Sequence, residues 1–323
     1  MQAYIIRRLL LIIPTLLIVT VIVFFTARLI PGSAVEKIAF ENVGGTTGAN
    51  IEDSMQAIRH RLGLDLPAYV QYGRWIRNIV LHGDLGRSLW GAEAPVSEEI
   101  LNRLPVSFEL GLLSMTVALL IAIPVGVYSG IRQDTVGDYV ARSFAICCIA
   151  FPSFWVGTLI LIYPAIWWQW SPPIEYVPFT ENPLANLGIF IIPALVFGMS
   201  LSGLTMRLTR TMMLEVLRQD YMRTAWSKGL RERVVVLRHG LKNALLPIVS
   251  LIGIQLPVLI GGSVVIEQLF LLPGIGRLLL DAVGNRDYTA LSGINLFMAT
   301  FVLLANLGVD ILYSHLDPRV RYR

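Results

Sequence analysis

The chain has 323 residues, of which 55% are hydrophobic and only 15% charged, with a mean hydropathy of +0.65. Soluble domains carry about a quarter charged residues, and a chain this apolar could not cover its own surface with polar side chains. Soluble enzymes, disulfide scaffolds and disordered tails are excluded, a membrane protein remains, and a net charge of +4 is too small to imply nucleic acid.

Six uncharged runs reach the about 20 residues that cross a hydrocarbon core. In chain order they are Leu9 to Ala27, Leu110 to Ile131, a long run from Ser143, Asn182 to Met206, Asn243 to Ile266, and Tyr288 to Val309. The first exceeds a signal-peptide core and is followed directly by Arg28, so it is read as a helix although Gly32, Ser33 and Ala34 mimic a cleavage site. Between the first two spans, about Pro31 to Arg103, charges mix with amphipathic runs. Tyr69, Tyr72, Trp75, Ile76 and Ile79 are spaced like one face of a short helix. This segment is expected to be partly folded, as a cap on the bundle or a contact surface for an external partner.

With Arg7 and Arg8 inside, six crossings return the C-terminus to the same side. Sixteen of the 26 basic residues then fall in short inner segments, against Arg277 and Arg286 in short outer loops. Basic residues collect in cytoplasmic loops, so both termini are expected to be cytoplasmic. Prolines recur inside the runs, at Pro14, Pro124, Pro152, Pro164, Pro193, Pro247 and Pro257, where they kink membrane helices. Gly126 and Gly130 form a G-x-x-x-G pair, read as ordinary close packing of helices. Cys147 and Cys148 are adjacent in an apolar run. Neighbours on a helix point about 100° apart, so they are read as packing residues rather than a disulfide.

The chemistry of a self-sufficient enzyme is missing. No G-x-x-x-x-G-K-[ST] phosphate loop occurs, so nucleotide chemistry must come from another chain and this one is not expected to be an enzyme. His60, His82, His239 and His315 include no i, i+4 pair, and no metal or cofactor is expected. Gly198 to Ser202 lacks the final glycine of a nucleophile elbow and lies within a span.

The most informative stretch runs from Asp220 to Gly229. Asp220 suits an N-cap, Lys228 the last turn and Gly229 the residue after it, which predicts a short, deliberately ended helix over Tyr221 to Lys228. Tyr221, Ala225 and Gly229 are spaced i, i+4, i+8, with Thr224 beside Ala225, so one side is small enough for a partner's surface to approach. A second basic helix is expected around Arg231 to Lys242.

Here the sequence resembles the dipeptide/oligopeptide class of ABC-transporter permeases. Asp220 to Pro247 looks like their cytoplasmic "EAA" loop, with Arg223, Thr224, Ala225 and Gly229 at matching positions and the Glu and first Ala replaced. Arg7-Arg8-Leu9-Leu10 with Pro14 and Pro31-Gly32 resembles the family's start. Arg61 to Asp65, Gly83 to Ser88 and Pro95 to Ile100 resemble its first outer segment. Glu267, Phe270, Pro273-Gly274 and Arg277, with Arg286 to Tyr288 and the tail Asp317 to Arg321, resemble its C-terminal third.

The resemblance implies an all-α, six-span type I importer permease in a bacterial or archaeal cytoplasmic membrane. It also implies a second homologous permease as heterodimer partner, two ATPase subunits, an extracytoplasmic solute-binding protein and surrounding membrane lipid. The expected division is residues 1–30 for tail and first span, 31–103 for the outer segment, 104–313 for a five-helix core with a coupling loop at 207–244, and 314–323 for a cytoplasmic tail. Tyr221, Arg223, Thr224, Ala225, Lys228 and Gly229 are the expected ATPase contact, and Glu267, Gln255, Pro273 and Gly274 the candidate pathway or outer gate. Peptide is the default substrate, with nickel chelates, glutathione and haem as alternatives. An ATP-independent secondary transporter is the rival, and it would place charges in mid-span. Here Glu109, Arg142, Glu267 and Asp310 all fall near span ends.

Overall fold

The computed structural model describes residues 2–29, 34–42, 49–61, 63–90 and 94–316; the Pro31-Gly32 and Asp317 to Arg321 motifs lie outside them. The described chain is helical. Five helices are long and apolar enough to cross a membrane, or six if one bent pair counts as a span. The chain divides into two compact units, residues 2–105 with 277–303, and residues 106–276 with the end of the last helix.

In the first unit, α1 (Gln2–Arg28) carries the first apolar run and is followed by α2 (Ala34–Asn42), α3 (Ala49–Arg61) and α4 (Ala68–His82). The aromatic periodicity noted above lies on α4. Tyr72 and Trp75 pack on Phe24 of α1, ring centroids 5.4 and 5.6 Å apart, while Tyr69 stays exposed. Gly83 ends α4 at φ +64°, in the left-handed region that glycine enters without penalty. The extended stretch that follows is held by Asp287, which accepts hydrogen bonds from Ser88 Oγ and Leu89 N at 2.8 Å and from Ala290 N at 2.9 Å.

In the second unit, α5 (Val96–Ile131) enters from residue 106, and α8 (Pro183–Leu217) is the central element. Asn182 caps α8 by accepting from Ala185 N at 3.1 Å, with Pro183 at the first helical position, where its missing N–H costs nothing. The core joins Leu110 and Ala118 of α5 to Ile189, Phe190 and Phe197 of α8 and to Ile266 and Leu272 further on.

The Gly126 and Gly130 pair packs α5 on α8. A Cβ at Gly126 would lie 2.6 Å from Thr209 Cβ and 2.8 Å from Met206 O, and one at Gly130 2.6 Å from Met213 Cβ. Backbone at that distance cannot yield as a flexible side chain would. Gly126→Leu is therefore expected to cost at least about 1–3 kcal/mol by overpacking, read as loss of folded chain in detergent. The unpacked control Gly188→Leu, where nothing lies within 4 Å, should be silent.

The long third run is two helices, α6 (Val136–Ala150) and α7 (Ser153–Trp168), at 93°. Pro152 explains the break. It disfavours helical backbone at the residue before it, and Phe151 is extended at φ −84°, ψ 122°. The run expected to begin at Ser143 thus starts seven residues earlier and turns in its middle. The remaining helices are α9 (Asp220–Ser227), α10 (Glu232–Val234), a π-helical turn Val235–Leu241, α11 (Lys242–Gly261), α12 (Val264–Leu269), α13 (Ile275–Asn285) and α14 (Tyr288–Leu316). No separate basic helix occupies Arg231 to Lys242. Nothing between Glu232 and Lys242 breaks the helix, so α10, the π turn and α11 run on as one rod.

Candidate functional site

Helix α9 hangs from the end of α8 by two residues, Arg218 and Gln219. It ends at Ser227. Lys228 closes the last turn through its N–H to Thr224 O at 3.2 Å, and Gly229 follows at φ +72°. Gln219, not Asp220, is the cap, and it contributes no side-chain bond; Asp220 instead occupies the first turn, where a carboxylate faces the positive helix end.

The faces of α9 are sharply divided. Met222 and Ala225 are buried, and with Val235 they form a small core against Val216 and Leu217. The outward face carries Tyr221, Arg223, Thr224, Trp226, Ser227 and Lys228, all exposed. Ala225 therefore does not lie on the open side where the i, i+4 spacing placed it. Its small size serves the chain's own packing, while Gly229 has open space around it, with nothing within 4 Å of the point a Cβ would occupy. Tyr221 is oriented by Asn243, whose Nδ2 donates to its hydroxyl at 2.8 Å. Arg223 lies 3.6 Å from Asp220 Oδ1, but both are so exposed that the pair adds little stability.

Beside this end of α8 sits a charge cluster. Asp138 is completely buried, and Arg210 of α8 donates to it from Nε at 2.8 Å and Nη2 at 2.7 Å, a bidentate fork. Ser129 Oγ of α5 donates to the same carboxylate, and Asp134 N does so at 3.0 Å. Arg142 approaches to 3.7 Å. Thr135 caps α6 by accepting from Asp138 N, which fixes the carboxylate's starting point. One buried anion thus ties α5, the α5–α6 turn, α6 and α8 together, with each oxygen satisfied.

A second knot forms after α11. Glu267 is fully buried; its Oε1 accepts from Ser107 Oγ at 2.8 Å and Ser263 Oγ at 2.7 Å, and its Oε2 from Gly276 N at 2.8 Å. Ser107 in turn accepts from Ile275 N at 2.8 Å. The turn through half-buried Pro273 and buried Gly274 wraps this carboxylate, and Gly274 lies so close to it that no side chain fits. Gln255 stands apart from this network. Among the described residues its amide reaches only Leu201 O at 3.5 Å, and its buried Oε1 has no partner there.

The family described as "Binding-protein-dependent transport system inner membrane component" matches residues 122–322, and its N-terminal companion matches residues 1–111. The chain belongs to this family. Among relatives, it is 39% identical over 325 residues to the oligopeptide transport system permease protein AppB of Bacillus subtilis, covering all of both chains. It is 37% identical over 323 residues to the glutathione transport system permease protein GsiC of Salmonella paratyphi A, again end to end. A crystal structure of an amino acid ABC transporter with histidines shares the fold, with a TM-score of 0.50 at 13% identity over 69% of this chain and 94% of that one.

This ABC permease brings Tyr221, Arg223, Thr224 and Lys228 together on one exposed face and gathers Glu267 with the Pro273-Gly274 turn. It separates Ala225 and Gln255 from them. Asp138 and Arg210 were not anticipated, because 72 residues separate the two halves of the pair. The usable signal was an aspartate in a capped first turn, after Thr135, next to a long apolar run.

Proposed function

We propose that this permease forms half of a translocation pore in an ATP-driven peptide importer, and that α9 receives the push of an ATPase subunit. The observation that carries this is the two-faced helix. Its inner face is built into the chain through Met222, Ala225 and Val235, so a force on the outer face reaches α8 and the π turn without an intervening flexible loop. The basic outer face faces the cytoplasm in the six-span reading, with residues 31–103 outside. The second permease, the two ATPases and the binding protein follow from the family's way of working. Peptide as cargo is supported by relatives that carry oligopeptide and glutathione in their names, glutathione being itself a short peptide.

The test compares two faces of one helix. Thr224→Arg or Lys228→Glu should leave a folded, membrane-inserted chain yet lower ATPase co-purification and peptide uptake at least about tenfold, the effect of losing about 1.4 kcal/mol of contact. Ala225→Arg should instead destabilise the chain itself by forcing a charge into an apolar core. Wild-type uptake in both outer-face variants would return α9 to a basic surface at the headgroups.

Orientation has its own measurement. In a variant lacking Cys147 and Cys148, Ser171→Cys should react with an impermeant thiol reagent on intact cells and Ser227→Cys should not. Both positions are exposed, so the contrast reports sidedness rather than burial. Labelling of Ser227→Cys from outside would overturn the cytoplasmic assignment of α9.

A further inference from the structure

The unit built from α1 to α4 and the start of α14 contains a cavity of about 190 Å³, lined by Phe24, Arg28, Gln71, Trp75, Tyr288 and Ser292 among others. Its polar wall is rich in donors. The Arg28 guanidinium lies 3.5 Å from the Phe24 ring centroid, donating to Phe24 O at 3.2 Å and to Gln71 Oε1 at 2.9 Å. A guanidinium has five N–H groups, so most remain to be used. No carboxylate lines the cavity, and among the described residues none pairs with Arg28, while Arg74 adds a second cation at its wall.

Two buried groups on residues that line it have no hydrogen-bond partner among the described residues, the Trp75 indole N–H and the hydroxyl of Ser292, a residue only 2% exposed. Indole and guanidinium can only donate. Buried polar groups are normally satisfied, so two orphans on residues that line the same cavity as a guanidinium with unused donors point to an acceptor that the described residues do not supply. What would satisfy all three is an oxygen-rich anion.

We propose that this cavity holds the phosphodiester headgroup of an anionic membrane phospholipid. The approach to it favours a lipid over a free anion. Arg28 closes the apolar span of α1, and Leu17, Ile18, Val21, Ile22 and Phe25 are exposed along that helix, an apolar track for acyl chains ending at the cation. Arginine at a span end lies at headgroup depth, where it keeps its charge. The site rests on α1 spanning the membrane and does not depend on the cargo of the importer.

The assembled transporter, in a maltoside detergent that carries no phosphate, would be mixed with phosphatidylglycerol bearing a headgroup diazirine, irradiated, and its adducts mapped by peptide mass spectrometry. Adducts should concentrate at Trp75 and residues 63–66. Arg28→Gln should reduce them at least about tenfold, as expected for loss of a charge-assisted donor, with Arg28→Lys intermediate and Ser292→Ala also reduced. Unlabelled phosphatidylglycerol should compete, and inorganic phosphate at equal concentration should not. Equal labelling in Arg28→Gln overturns the site, and equal competition by phosphate overturns the lipid. If Arg28→Gln does not assemble, Ser292→Ala, which removes only a hydroxyl, decides by the same readout.

Discussion

Asp138→Asn is expected to destabilise the permease by about 3–5 kcal/mol, the cost of breaking a buried ion pair by removing one partner. Arg210 keeps only 18% of its side chain exposed, so its charge cannot escape to water once the carboxylate is gone, and Arg142 beside it loses the same anion. The amide would also point a donor at Arg210 or at Ser129, where the carboxylate only accepts. The measurement is the midpoint of thermal inactivation in detergent, with the fraction of chain recovered from membranes. Asp138→Asn with Arg210→Met should recover part of the loss, because it removes the guanidinium that Asp138→Asn alone leaves buried without a counter-ion. An Asp138→Asn chain as stable as the wild type would show that the fork contributes no net stability. Because α8 leads into α9 within two residues, partial loosening here should also lower coupling, giving ATP hydrolysis with less uptake.

The second large effect is expected at Glu267. Glu267→Gln replaces a group that accepts from Ser107, Ser263 and Gly276 by one that must donate on one side. The two serine hydroxyls can rotate, but Gly276 N–H cannot, so the amide oxygen has to turn to Gly276 and leave the hydroxyls short of an acceptor. The cost is about 1–3 kcal/mol for an unsatisfied buried group. Gly274→Ala should cost as much or more, since its methyl would press on the same carboxylate and lie 2.7 Å from Ser107 Oγ. Acting on one knot, the two changes should not add. Stability and uptake should fall together in both. A fall in uptake with stability unchanged would instead place Glu267 in the pathway itself.

The long apolar helices were legible because each rests on a long uncharged run, a signal that needs no tertiary information. The glycine end of α9 was legible for a similar reason, since positive φ at Gly229 follows from local backbone preference. What failed depended on contacts distant in sequence. Ala225 is apolar but small, so spacing alone could not decide between a face open to a partner and one packed on Val235. Pro152 marked a kink without its angle: a slight bend and one of 93° use the same residue, and the choice lies in what Gly157 and its neighbours pack against, Leu269 and Phe270. Glu267 stands at a span end and reads as a pathway or outer-gate residue; its donor Ser107 lies 160 residues earlier, beyond the reach of a local pattern.

The π turn at Val235–Leu241 bears on how this segment tolerates changes in length. An α-helix turns each residue by about 100°, so deleting one from a regular helix rotates every following side chain off its neighbours. A π turn already holds a surplus residue, bonded i to i+5. Removing one residue there lets the turn tighten to α geometry while Ala244, Ile248 and the rest of α11 keep their phase. The same elasticity, worked in reverse by a load on α9, would turn α11 about its axis instead of dragging it along the membrane normal.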